Sequence, residues 1–179
     1  MRNSGLKVGL ALCTALLLGQ GLAVTGPSQE ELNNADQATD SWLMYNKGYA
    51  GQRYSPLDQI NTGNVAQLQR TCTFETGDDG GFQVTPQVYK GVLFFTQANR
   101  TFAVDARTCK ALWVHKYMMD SSSVLTTNRG LAIADGVLYR GTPNAHVIAI
   151  DAGTGKQLWD TKVADSAVGY FLSAAPIYY

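Results

Sequence analysis

Ala103-Val-Asp-Ala-Arg-Thr-Cys-Lys-Ala-Leu-Trp113 and Ala149-Ile-Asp-Ala-Gly-Thr-Gly-Lys-Gln-Leu-Trp159 superimpose without a gap, 46 residues apart. A period of about 20 to 50 residues marks solenoids and propellers, whose units bury their apolar faces only against neighbouring units. Upstream of each copy lies a pair of β-rich runs, Gln87-Val-Tyr-Lys-Gly-Val-Leu-Phe-Phe-Thr96 and Leu131-Ala-Ile-Ala-Asp-Gly-Val-Leu-Tyr139. The Lys90-Gly91 and Asp135-Gly136 dipeptides split these runs in the manner of a tight hairpin. Each unit therefore reads as four short antiparallel strands, with Asp105 or Asp151 in the turn before the last strand. Four strands at this spacing describe a propeller blade, and the expected fold class is an all-β β-propeller.

The pattern continues on both sides. Asn61 to Phe74 forms a degenerate unit that puts Cys72 at the place of the repeat's tryptophan, 41 residues before Trp113. Leu172-Ser-Ala-Ala-Pro-Ile-Tyr-Tyr179 matches Phe82-Gln-Val-Thr-Pro-Gln-Val-Tyr89 and opens a further blade as an unfinished strand. Two complete blades cannot close a ring and would leave strand edges open. The chain is therefore expected to be the amino-terminal fragment of a longer protein.

The segment ahead of the blades is read in three parts. Arg2 and Lys7, then the apolar run Val8 to Leu18, then Gly19, Gly21 and Ala23 follow the order of a secretory signal peptide. Residues 1–23 are expected to be removed between Ala23 and Val24, rather than to anchor the chain in a membrane, and Cys13 goes with them. Residues 24–40 form a helical lead-in, started by the capping box Ser28-Gln-Glu-Glu31 and running toward Ala38. The propeller segment spans 41–179. In it, Trp42-Leu-Met-Tyr45 and Arg53-Tyr-Ser-Pro-Leu57 read as an outer strand on the blades, Asn61 or Thr62 caps a short helix through Leu68, and Gly77 to Gly81 is a polar loop.

Composition narrows the function. The 179 residues carry 14 basic and 14 acidic side chains, with 16% charged and 45% apolar residues. This balance excludes nucleic-acid binding by a basic field and a disordered acidic tail. Cys72 and Cys109 remain after export to an oxidising compartment, and neither belongs to a CxxC, which excludes a zinc cluster, a thioredoxin-type site and c-type haem attachment. GxGxxG, GxSxG and HExxH are absent from the sequence, and Gly153-Thr-Gly-Lys156 lacks the first glycine and the Ser or Thr of a phosphate-binding loop. Asp105 and Asp151 belong to the repeat turn, and His115 and His146 read as strand residues, His146 an exposed one.

Trp42-Leu-Met-Tyr45, Arg53-Tyr-Ser-Pro-Leu-Asp-Gln-Ile-Asn61, Asn64-Val65 and the two Ala-x-Asp-x-x-Thr-x-x-x-x-Trp repeats together resemble the quinoprotein alcohol dehydrogenases, from about residue 40 to the end. The resemblance implies a propeller that is eight-bladed in that family. It implies pyrroloquinoline quinone (PQQ) and a calcium or lanthanide ion as cofactors, and periplasmic oxidation of an alcohol substrate. The electron acceptor is then a cytochrome c or a membrane quinone; nucleic-acid binding and a stable membrane span are not expected. In the family the repeat tryptophan stacks on the glycine peptide of the next motif. Cys72 takes the tryptophan position and Cys109 the glycine position of one such contact, so the resemblance implies a Cys72–Cys109 disulfide between blades, with two buried free thiols as the alternative.

The cofactor-binding residues are carried over in the same way. Arg129 in Asn128-Arg129-Gly130 matches an arginine that contacts quinone oxygens, and a forked, fixed cation suits an anionic tricarboxylate. Ser173 matches a hydroxyl residue bonded to the quinone. Gln83 stands where a glutamate is frequent and can donate to a carboxylate without a charge clash. The adjacent cysteine pair of many methanol-type members corresponds to Ser123 and Val124 and is absent. The metal ligands and the catalytic carboxylate belong to later blades of the family, so this chain is expected to hold no catalytic or metal-binding residue and to be inactive alone. The alternative function is a non-catalytic propeller scaffold for protein partners, of the outer-membrane assembly type.

Overall fold

The computed structural model describes residues 26–119 and 127–179. The signal-peptide reading of 1–23 and the Ser123-Val124 pair lie outside the described residues. The described residues form two antiparallel four-stranded sheets. The first comprises β1 Gln87–Tyr89, β2 Val92–Gln97, β3 Arg100–Asp105 and β4 Ala111–Lys116. The second comprises β5 Ala132–Ala134, β6 Val137–Gly141, β7 His146–Asp151 and β8 Gln157–Lys162. In both, sequence order is spatial order, as a blade built only from hairpins must be.

The local chemistry of the repeat explains each turn. Lys90-Gly91 and Asp135-Gly136 all have positive φ, the requirement of a two-residue turn whose twist matches the flanking strands. Asp105 ends β3, and its Oδ1 accepts from the Arg107 amide at 3.0 Å, the Thr108 amide at 2.8 Å and the Thr108 hydroxyl at 2.9 Å. Asp151 binds the Thr154 amide and hydroxyl in the same way, both at 2.7 Å. These aspartates are structural, because their acceptor capacity closes the turn. Beyond the turn the register shifts by one residue, between Ala103 and Val104 in one blade and between Ala149 and Ile150 in the other. The bulge brings each motif's alanine directly opposite its own tryptophan, Ala103 to Trp113 and Ala149 to Trp159.

The sheets pack through one apolar cluster that takes Phe94 and Ala103 from the first and Ile133, Leu138, Ile148 and Ile150 from the second. Burying side chains of this size stabilises by about 1.5–3 kcal/mol each relative to exposure. Leu32, Ala35, Leu43 and Met44 of the lead-in join the same cluster. The helix α1, Gln29–Asn33, starts at the Ser28–Glu31 capping box and is followed by a 3-10 turn at Ala35–Gln37, so the lead-in is helical but broken before Ala38. Trp42 exchanges both backbone hydrogen bonds with Val88, each at 2.9 Å, on the edge of β1 away from β2.

Several expectations for the irregular segments are corrected. Arg53 to Leu57 forms no strand; Arg53 has a positive φ and its guanidinium lies 5.2 Å from the Tyr45 ring centroid. The helix expected through Leu68 is a 3-10 turn, Val65–Gln67, since Asn61 spends its side chain on the Gly63 amide and takes the Asn64 carboxamide on its own amide. Residues 172–179 carry no strand. His146 is held rather than exposed, with Nδ1 2.6 Å from Asp160 Oδ1.

Candidate functional site

Three segments meet at one end of the sheets: the loop ahead of β1, the loop ahead of β5, and residues 172–179. Thr85, Arg129 and Ser173 are spaced 44 residues apart. The Thr85 amide donates to the Arg129 carbonyl at 3.4 Å, and the Arg129 amide donates to the Ser173 carbonyl at 2.9 Å. Each segment thus hands a backbone hydrogen bond to the next, and the three are tied in series around one end of the blades.

Arg129 is exposed and Ser173 half-buried. Arg129 Nη1 donates to Ser173 Oγ at 2.8 Å, so the two residues predicted from separate motifs are neighbours. Among the described residues no carboxylate pairs with Arg129. A guanidinium has five donors in a fixed fork, and among the described residues the side-chain hydrogen bond of Arg129 is the one to Ser173. The arrangement is a fixed cation beside a hydroxyl that can both accept and donate, a donor set suited to an oxygen-rich planar anion such as a quinone carboxylate. Gln83 is exposed on the loop leading to Thr85 and is bonded to neither residue; its place in the site is by proximity in sequence to Thr85 alone.

Sequence reasoning assigned no role to Asn128, yet it is the most connected side chain here. It is 3% exposed. Its Oδ1 accepts from the Thr96 hydroxyl at 2.7 Å and the Gly130 amide at 3.1 Å, and its Nδ2 donates to the Gly141 carbonyl at 2.9 Å. An Asn whose side chain bonds the amide two residues on is a turn signal, and Gly130 at φ 140° completes it. That spacing was the signal available in the sequence.

Cys72 and Cys109 are joined, with Cα atoms 5.9 Å apart. Cys109 has φ 53° and its amide donates to the Asp105 carbonyl at 2.9 Å; Gly155 has φ 74° and donates to the Asp151 carbonyl at 2.8 Å. Cys109 therefore occupies the conformational place of Gly155. Groups of three or more metal-ligating side chains are absent among the described residues. No helix among them is long and apolar enough to cross a membrane.

Comparison with known proteins identifies the family. The family description "Glucose/ethanol/alcohol dehydrogenase, beta-propeller domain" matches residues 42–134. The chain is 36% identical over 176 residues to quinoprotein alcohol dehydrogenase PedH of Pseudomonas putida, covering 95% of this chain and 29% of that protein. It is 35% identical to the lanthanide-dependent methanol dehydrogenase of Methylacidiphilum fumariolicum, covering 98% of this chain and 29% of the relative. Among solved structures, a europium-containing methanol dehydrogenase superimposes with a TM-score of 0.77 at 34% identity, over 84% of this chain and 28% of that one. The chain spans less than a third of the length of these relatives.

Proposed function

Because the chain belongs to the quinoprotein alcohol dehydrogenase family, we propose that it forms the amino-terminal part of a periplasmic, PQQ-dependent alcohol dehydrogenase. The observation that carries the proposal is the 2.8 Å contact between Arg129 and Ser173, on a guanidinium that pairs with no carboxylate among the described residues. When bound, the quinone supplies a carbonyl carbon that accepts hydride, and a calcium or lanthanide ion beside it supplies Lewis acidity.

This chain's own contribution is binding and orientation. Arg129 holds the quinone's carboxylate or carbonyl oxygens through charge-assisted, forked hydrogen bonds. Ser173 orients the guanidinium through Oγ and can donate its own proton to a quinone oxygen. Gln83 adds an uncharged amide donor from the neighbouring loop. The metal ligands and the base that removes the alcohol's proton come from outside these residues, and the electrons leave to a cytochrome c or a membrane quinone. Export follows cleavage after Ala23, read out by amino-terminal sequencing of the secreted protein.

The test is reconstitution of the full-length gene product with PQQ and either calcium or a lanthanide, followed by dye reduction with a panel of alcohols. Turnover dependent on quinone and alcohol is expected. Residues 24–179 alone are expected to give none. A product that folds, binds no PQQ and captures protein partners instead would favour a scaffold and overturn the proposal.

A further inference from the structure

We propose that Asn128 is the positioning residue of the quinone site, fixing the backbone that presents Arg129; this rests on the quinone-binding reading of Arg129 and goes one step beyond it. The carboxamide spans Arg129 from both sides in sequence. It leaves the chain at residue 128 and captures the amide of residue 130, closing a small ring with Arg129 at its apex. A buried carboxamide offers two donors and two acceptor lone pairs, and Asn128 spends the acceptor oxygen on Thr96 as well as Gly130, and a donor on Gly141. Thr96 belongs to β2 and Gly141 to β6, so one side chain ties the loop to both blades.

The remaining freedom of Arg129 is removed by its own backbone. Its amide and carbonyl are taken by Ser173 and Thr85. Gly130 at φ 140° holds a turn that an L side chain rarely adopts. With Asn128 in place, the backbone of Arg129 is determined at every polar atom, and only the side-chain torsions are left for Ser173 Oγ to orient. A cation presented in this way loses little conformational freedom when it meets an anion, which raises affinity without adding a contact. Asn128 touches neither Arg129's guanidinium nor the space beyond it. Its effect must therefore pass through Arg129.

That dependence is what a double-mutant cycle measures. PQQ is titrated into the full-length gene product by absorbance or by quenching of protein fluorescence, in four proteins: wild type, Asn128→Ala, Arg129→Ala and the double variant. The expected result is that Asn128→Ala weakens PQQ binding roughly three- to ten-fold, the scale of one or two lost hydrogen bonds, in the Arg129 background and has no effect in the Arg129→Ala background. Thr96→Val, which deletes one hydroxyl donor to Oδ1, is expected to give a smaller loss with the same dependence, and it decides the matter by the same criterion if Asn128→Ala does not fold. Equal losses in both backgrounds, or no loss, overturn the positioning role while leaving Arg129 as a ligand. Unchanged binding by Arg129→Ala, or no binding by wild type, overturns the reading of the site and this inference with it.

Discussion

Trp113 of the first blade lies against Gly155 of the second so closely that a Cβ built on Gly155 would fall 2.6 Å from the indole Cδ2 and Cε3. The indole Nε1 also donates to the Ala152 carbonyl at 3.0 Å. The contact joins the last strand of one sheet to the turn before the last strand of the next, and it uses both the apolar body and the polar tip of the ring.

Gly155→Ala is therefore expected to destabilise the protein by about 2–4 kcal/mol, the combined scale of a left-handed alanine and an overpacked contact. The Gly155 φ of 74° means that moving the indole aside relieves only part of the strain. Trp113→Phe keeps the packing and loses the Ala152 bond, for a cost of about 1 kcal/mol. Urea denaturation followed by far-UV circular dichroism orders the two. A Gly155→Ala protein as stable as wild type would show that the indole does not dock there.

The first contact of this type is covalent. Cys72 and Cys109 take the tryptophan and glycine positions and close a loop of 37 residues. A loop of that length is worth about 3–4 kcal/mol in lost unfolded-state entropy. Residues 52–86 carry no strand and are held by the disulfide together with side-chain contacts such as Phe74 against Phe95 and Phe102. Reduction, or a Cys72→Ser and Cys109→Ser pair, is expected to lower the urea midpoint accordingly and to speed proteolysis in 52–86 before the blades are cut. Labelling of both thiols in the unreduced, secreted protein would overturn the pairing.

Acid should destabilise the protein in two stages. His115 on β4 has a buried Nε2 with no hydrogen-bond partner among the described residues. Burial pushes its pKa below the ordinary 6.5, the nearby Arg140 charge adds to this, and a hydrogen bond to the Gly155 backbone works against it. The unfolded chain then binds the proton more readily than the folded one. The stability that His115 contributes is complete above pH 6.5 and is lost as pH falls from there through the lower folded value. Asp105, whose carboxyl is held below 3.8 chiefly by the Thr108 backbone hydrogen bond, loses its contribution only as pH falls below that range. Urea midpoints measured from pH 7.5 to 3 should thus decline first below pH 6.5, and His115→Gln should abolish that first decline while leaving the second.

The repeat made much of this legible. Small, β-branched and aromatic residues at fixed offsets dictate the hairpins, and Asp105 with Thr108 dictates a turn that neighbouring residues build alone. Arg129 and Ser173 are legible through the family resemblance of their short motifs, Asn128-Arg129-Gly130 and the hydroxyl ahead of Ala175-Pro176, and the fold then brings the two together. Asn128 was hidden because its partners Thr96 and Gly141 lie on different sheets, and no pattern along the chain encodes a bond across the gap. The partner of His146 is equally non-local in sequence: Asp160 lies across the β7–β8 ladder of the same sheet. Arg140 was harder still, because an arginine in a strand normally reads as a solvated residue, and its partners are mostly backbone carbonyls that no side-chain pattern reveals.

Arg140 gives the sharpest stability prediction. It is fully buried. Its Nη1 donates to the Arg100 carbonyl at 2.7 Å and Thr101 Oγ1 at 3.1 Å, its Nη2 to the Ala98 carbonyl at 2.6 Å, and its Nε to the Gly141 carbonyl at 3.1 Å. Burial pushes its pKa down to about 10, so it still carries its charge at neutral pH. A buried ion pair can be exchanged for apolar residues at little cost only when both partners are replaced. Here three of the four partners are backbone carbonyls, those of Ala98, Arg100 and Gly141, which no substitution removes. Arg140→Met should therefore cost about 3–5 kcal/mol, since it strands several buried acceptors at once. Arg140→Lys should fail to restore stability, because one ammonium on a flexible stem cannot span acceptors that a planar fork reaches together. Because Asn128 and Arg140 both donate to the Gly141 carbonyl, the Lys variant should also loosen the loop of Arg129, seen as faster amide exchange at Gly130. A Met variant with the wild-type urea midpoint would mean that water reaches those carbonyls and that the guanidinium does not hold the two blades together.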